Sequence, residues 1–156
     1  MAENYDIDNV DLKILSILQK NAKKPYTEVA KMAHVSSGTV HVRMNKLEKM
    51  GIVEGASLDL NLARLGYDLS AFLGVFLAKS SLYDSVATQL KAIPEITSIH
   101  YTTGNYSMFI RIYAKSTDHL KNILHDKIQK VNGIERTETF ITLEETLSRN
   151  IELTDQ

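Results

Sequence analysis

VSSGTVHVRMNKLEKMG, residues Val35 to Gly51, decides how this chain is read. Apolar residues recur at Val40, Met44 and Leu47, at spacings of four and three, which is one face of an α-helix. Ser36 is a residue type whose hydroxyl caps a helix N-terminus. Gly51 is the type that ends a helix in the left-handed conformation. The opposite face carries Thr39, His41, Arg43 and Lys46, preceded by the small residues Ser37 and Gly38. A helix with one apolar side and a small, hydroxyl-bearing start turning basic asks for a polyanion on its outside.

The residues upstream agree. IDNVDLKILSILQKNAK reads as a first helix capped by Asp8, with Asp11 at N3 and Ile7 and Leu12 at the positions of a hydrophobic staple. Leu15 and Leu18 continue its apolar stripe, and Pro25 breaks the chain. YTEVAKMAHV reads as a short second helix with Thr27 as N-cap and Val29, Ala30 and Ala33 inward. A brief turn at His34-Val35 leads into the third helix. Two short helices joined by a tight turn, the second basic outside, form the helix-turn-helix pattern. Between Lys20 and Met50 seven Lys or Arg face two acids, whereas the whole chain carries −1. The positive charge is therefore local, as on a nucleic-acid-binding face. On double-stranded DNA, the free N–H groups at the third helix's start suit a phosphate. Ser37 and Thr39 can donate to it, and Gly38 lets the backbone approach. His41, Val42 and Arg43 reach base edges, Arg43 gripping guanine and Val42 meeting a thymine methyl. Lys46 meets the phosphates beyond, and Thr27 and Ser36 complete the expected DNA-binding set. A protein-binding helical hairpin is the alternative. IVEGASLDLN, after Gly51, alternates and contains Gly55, so it reads either as the β-hairpin of a wing or as a linker strand.

From Tyr67 the pattern changes. LSAFLGVFLA, from Leu69 to Ala78, is a strand apolar on both sides, with Phe72 and Phe76 opposite Leu69, Ala71, Leu73, Val75 and Leu77. SLYDSVATQLKAI is a helix, and ITSIHYTT and YSMFIRIYA are strands joined across Gly104-Asn105 as a two-residue hairpin turn. STDHLKNILHDKIQKV is a second helix, and IERTETFITL is the last strand. The order βαββαβ is the ferredoxin-like arrangement. The fold class is α+β, a winged helix-turn-helix over residues 1–66 followed by a ferredoxin-like domain over 67–156. Both helices pack on one sheet face, so the face with Phe72 and Phe76 needs cover. A second copy of the sheet, making a homodimer, supplies it, as does the N-terminal domain folding back; paired half-sites about 34 Å apart favour the dimer.

Composition sets the outer limits. With 44% hydrophobic and 24% charged residues, the chain can build cores without staples. It has no cysteine, so disulfides, thiolate metal sites and cysteine nucleophiles are excluded. No metal site and no cofactor are expected. No apolar run spans a membrane, and the acidic start MAENYDIDNVD does not resemble a secretory signal, so a cytoplasmic protein is expected.

The stretches IDNVDLKIL, VSSGTVHVRMNKLEKMGIVEG, LGYDLSAFLGVFL, YTTGNYSMFIR and KIQKVNGIERTET, in this order and spacing, resemble the Lrp/AsnC transcription regulators over about Ile7 to Leu143. The resemblance implies dimers assembled into octamers and an amino-acid effector bound between dimers near the second-to-third-strand hairpin. Here that hairpin is Tyr101, Thr102, Thr103, Gly104, Asn105, Tyr106 and Ser107, with Gln129 and Glu138 lining the pocket from neighbouring chains. Relatives often carry proline at the position of Ser37. Many carry an acid at that of Ser107, so the neutral hydroxyl here leaves the partner of a ligand's amine open; other members carry serine there, and the resemblance to them makes asparagine the first effector expected. Read without that resemblance, the hairpin is better taken as a plain turn with Gly104 chosen for positive φ. An enzyme is the rival class, as a tetrapyrrole decarboxylase of the same architecture with His41 and His100 catalytic. No Ser-His-Asp spacing, phosphate loop or paired-histidine motif supports one.

Overall fold

The computed structural model describes residues 6–153. Met1–Tyr5 of the acidic start and Thr154–Gln156 lie outside the described residues. The chain divides into two units: residues 1–59 with 147–156, and residues 60–146. In this grouping the first unit ends at Asp59 and the C-terminal segment joins it.

The first unit is built on α1 (Asn9–Lys20), α2 (Tyr26–Ala33) and α3 (Ser37–Lys49). Asp8 and Asp11 close a capping box on α1: the Asp11 N–H donates to Asp8 Oδ1 at 2.9 Å and the Asp8 N–H to Asp11 Oδ2 at 3.2 Å. Ser36 caps α3, accepting from the Thr39 N–H at 3.0 Å. Its core joins Ile14, Ile17 and Leu18 of α1, Val29, Ala30 and Ala33 of α2, and Val40, Met44 and Leu47 of α3. The two alanines of α2 leave little bulk at the crossing. His34 makes the turn in the left-handed region at φ 58°, with the Val35 N–H donating to Ala30 O at 3.0 Å. Two expectations fail here. Thr27 is not the cap of α2: the helix already begins at Tyr26, after Pro25, whose fixed φ suits a helix entry. The wing hairpin does not form either, and residues 53–61 hold neither helix nor strand. A lone two-stranded hairpin is marginal in water, and Gly55 lacks the positive φ a tight hairpin turn requires.

The second unit is a four-stranded antiparallel sheet in the order β2-β3-β1-β4. Its strands are β1 (Leu69–Leu77), β2 (Ile96–Tyr101), β3 (Met108–Ala114) and β4 (Ile134–Ile141). The helices are α4 (Tyr83–Lys91) and α5 (Thr117–Asn122). Period-two alternation sends Ala71, Leu73, Val75, Met108, Ile110 and Ile112 to one face, where Val86, Leu90, Leu120 and Ile128 cover them. The expected second helix is not uniform: α5 gives way to a π-helical turn, Ile123–Lys127, and a 3₁₀ turn, Ile128–Lys130. The Lys127 ammonium at the end of the π turn donates to Glu95 Oε1 at 2.6 Å. Burial pushes the Glu95 carboxyl up, but this bond, its own backbone N–H and the charges of Lys127 and His119 outweigh it and hold Glu95 below its usual range.

Gly133 turns the chain into β4 at φ +105°, and a Cβ there would lie 2.9 Å from Val86 Cγ2. Gly133→Ala carries both left-handed strain and a clash, so it should cost about 1–3 kcal/mol. Urea denaturation followed by circular dichroism should show a lower midpoint with an unchanged m-value.

Candidate functional site

The exposed side of α3 is a stripe at helical spacing: Gly38, His41, Val42, Asn45, Lys46 and Lys49 all face solvent. Val42 is 70% exposed, an apolar residue held out of its own core among polar and basic neighbours. Ser37 and Gly38 lie exposed at the helix start, and a Cβ on Gly38 would meet nothing closer than Ser36 Oγ at 3.8 Å. The Ser36 and Thr39 hydroxyls are 2.8 Å apart and bond each other. His41 packs against Tyr26, ring centroids 4.6 Å apart, which fixes its place on the face. Thr27 is exposed in the first turn of α2. Lys46 is exposed and its ammonium donates to Asp6 O at 3.0 Å.

Arg43 departs from expectation. Its guanidinium donates to Asp8 Oδ1 and Oδ2, both at 2.7 Å, and to Asp11 Oδ1 at 2.8 Å. Asp11 is buried at 1% exposure, so Arg43 ties α3 to the capped start of α1 instead of standing free for guanine. The Arg43 hydrogen bond, aided by the Asp11 N–H, holds the Asp8 carboxyl below its usual range, and Asp8 and then Asp11 raise the guanidinium further. Asn45 and Lys49 complete the outward stripe. The 3.6-residue period that placed Val40 inside also places them outside.

In the second unit β2 and β3 join through six residues, Thr102–Ser107, not a two-residue turn. The loop is tied at its base. The Thr102 N–H donates to Ser107 O at 3.2 Å, the Thr102 hydroxyl to Tyr106 O at 2.6 Å, and the Ser107 N–H to Val75 O at 2.9 Å. The Ser107 hydroxyl accepts from the Leu77 N–H at 3.4 Å. Tyr106 lies across β1 at Gly74, where any Cβ would sit 2.4 Å from its ring. Its hydroxyl donates to Glu138 Oε2 at 2.7 Å, and that carboxylate raises the phenol above its ordinary pKa. Phe76, Phe109 and Phe140 surround this ring at 5.1, 5.9 and 5.9 Å between centroids.

Of the expected effector residues, the structure thus joins Tyr106 to Glu138. Tyr101 turns to Tyr83 of α4 at 4.3 Å between centroids. Thr103, Gly104 and Asn105 form an exposed tip. Gly104 lies outside the positive-φ region, and a Cβ there meets nothing within 4 Å, so turn geometry does not explain it. Gln129 lines a different concavity, with Leu120, Leu124, Thr139 and Ile141 and none of residues 101–107. Among the described residues no group of histidines and carboxylates fits a metal ion.

A helix-turn-helix with a basic outward stripe, joined to a ferredoxin-like sheet, defines a DNA-binding regulator with a separate ligand-binding domain. Residues 7–54 match the family described as winged helix-turn-helix DNA-binding, and residues 70–151 the Lrp/AsnC ligand binding domain. The chain belongs to the Lrp/AsnC family of transcriptional regulators. It is 43% identical to regulatory protein AsnC of Escherichia coli K12, over 96% of this chain and 98% of that one. It is 38% identical to regulatory protein AsnC of Haemophilus influenzae, over 94% and 98%. A solved structure of E. coli AsnC superposes with a TM-score of 0.89 at 41% identity, over 95% of this chain and 99% of that one. These are regulators and not enzymes, so His41 and His100 carry no catalytic assignment. No helix among the described residues is long and apolar enough to cross a membrane.

Arg43→Ala strands the buried Asp11 carboxylate and should destabilise the helix-turn-helix unit by about 3 kcal/mol, the low end for breaking a buried pair because Arg43 remains partly exposed. The part due to Asp8, whose pKa is lowered on folding, is fully present above about pH 4 and lost as pH falls through its folded value. Denaturation of the two proteins from pH 7 to pH 2 should show the gap between their stabilities narrowing at the acid end.

Proposed function

We propose that the chain is a cytoplasmic, sequence-specific regulator that reads duplex DNA with α3 as a homodimer, assembles further to an octamer, and responds to a small amino acid, asparagine first. The carrying observation is the outward stripe of α3, where Val42 stands exposed among His41, Asn45 and Lys46. An exposed valine beside amide and basic groups suits base edges and a thymine methyl. Ser37, Gly38 and Thr39 at the helix start suit the phosphate. Thr27 and Ser36 flank that approach. With Arg43 occupied, His41, Val42 and Asn45 carry base selection, and Lys46 and Lys49 the backbone.

The dimer reading is supported by the second sheet face, where Phe72, Phe76, Phe109 and Phe140 form a continuous aromatic surface. Arg136 lies over Phe76 at 3.8 Å and Arg111 over Phe72 at 5.4 Å. Such a face suits its own copy. The effector reading is supported by the Thr102–Ser107 loop. Its hydroxyls and the unencumbered backbone at Gly104 suit an α-carboxylate, and Ser107 leaves no acid in its place. In that reading Tyr101 to Ser107 of one chain meet Gln129 and Glu138 of neighbours.

Two measurements test this. Thermal unfolding with each of the twenty amino acids should show asparagine stabilising the protein, by about 2.7 kcal/mol at a hundred times its Kd. A flat response to all twenty removes the amino-acid effector. Lys46→Ala should weaken binding to all duplexes alike and lower the salt slope by about one; an unaltered slope removes that phosphate contact.

A further inference from the structure

The helix-turn-helix unit carries a groove of about 1000 Å³ on the side formed by α1 and residues 52–59. Ile7, Leu12, Leu15, Tyr26, Ile52 and Val53 form much of its apolar lining. The DNA-reading stripe of α3 contributes none of its residues to this wall. Asn150 and Leu153, from the end of the chain, line the same groove, and residues 147–156 group with this unit and not with the sheet.

We infer that this groove is a docking site for the chain's own C-terminal segment, Leu147–Leu153, with Leu153 as the anchor. The burial pattern within the segment carries the choice. Leu153 keeps 36% exposure, while Ile151 keeps 83% and Leu147 67%. Of the three apolar side chains, Leu153 is the least exposed and the one that lines the groove. The chain before the segment is held as well. The Thr142 N–H donates to Ser70 O at 2.9 Å, and Glu145 pairs with Arg111 at 2.8 Å. The strap therefore departs from a fixed point on the sheet unit. Leu12 and Leu15 place α1, the helix that Arg43 links to α3, in the same lining.

The absence of cysteine makes the test clean. In the full chain, Gln19→Cys with Asn150→Cys places one thiol on each side of the groove, and a short flexible bis-maleimide joins them. The expected product is a crosslink within one chain, running at monomer size in denaturing gels. Adding Leu153→Asp should lower its yield by about tenfold or more, since a charged side chain forfeits the leucine's burial. Dimer-sized product means the strap belongs to another copy and overturns docking in the same chain. Full labelling of both thiols without any crosslink overturns the docking itself. A yield indifferent to Leu153→Asp overturns the anchor. Hydrogen exchange gives a second readout: a chain ending at Thr146 should lose protection at Leu12–Leu18, and a peptide of residues 147–156 should restore it. Unchanged protection in the shortened chain would also overturn the proposal.

Discussion

A carboxylate at 1% exposure is costly unless it is paired and hydrogen-bonded, and Asp11 finds its cation in Arg43, 32 residues along the chain. That constraint sets the geometry of the DNA-reading unit. Asp11 is needed at N3 of α1 to close the capping box with Asp8, and closing it brings two carboxylates together at one helix end. One guanidinium answers both. Because Arg43 lies midway along α3, satisfying the pair fixes where α3 crosses α1. The opposite side of α3 then has to face outward, and the stripe from Gly38 to Lys49 follows. Lys46, at the edge of that stripe, donates to the Asp6 carbonyl.

The ligand-binding unit rests on a comparable steric condition. Gly74 in the middle of β1 is the gap into which the Tyr106 ring settles, and no other residue leaves that space. Once seated, Tyr106 closes the aromatic surface with Phe76, Phe109 and Phe140 and delivers its hydroxyl to Glu138. The 102–107 loop and the aromatic sheet face are thus joined by one side chain. On the proposed effector reading, a ligand that moved residues 102–107 would reach that face through Tyr106.

Much of the architecture was legible in local pattern. Val40, Met44 and Leu47 at helical spacing, Ser36 before them and Gly51 after, identify α3 without any neighbour in view. Leu73 and Val75 against Phe72 and Phe76 likewise identify a strand with two apolar faces. What escaped depended on partners distant in the chain. Arg43 looks like a base reader until Asp8 and Asp11 are placed beside it. Gly104-Asn105 looks like a tight turn until the ties from Ser107 to Val75 and Leu77 open the loop to six residues. The π turn at Ile123–Lys127 accompanies Lys127's reach to Glu95, which no helical period reports. Gly74 reads as an ordinary strand glycine until Tyr106 lies on it. Asn45 and Lys49 lie outward by the same period that turns Val40 and Met44 inward.

The most direct test of the central claim is the affinity of the Val42→Glu variant for duplex DNA, read by fluorescence anisotropy on promoter fragments, with circular dichroism to monitor folding. Val42 is solvent-exposed and packs in no core, so the variant should fold like the parent and lose DNA binding, because a carboxylate would then face the bases and phosphates. A well-folded Val42→Glu protein that binds DNA as tightly as the parent would contradict the assignment of this helix face to the double helix.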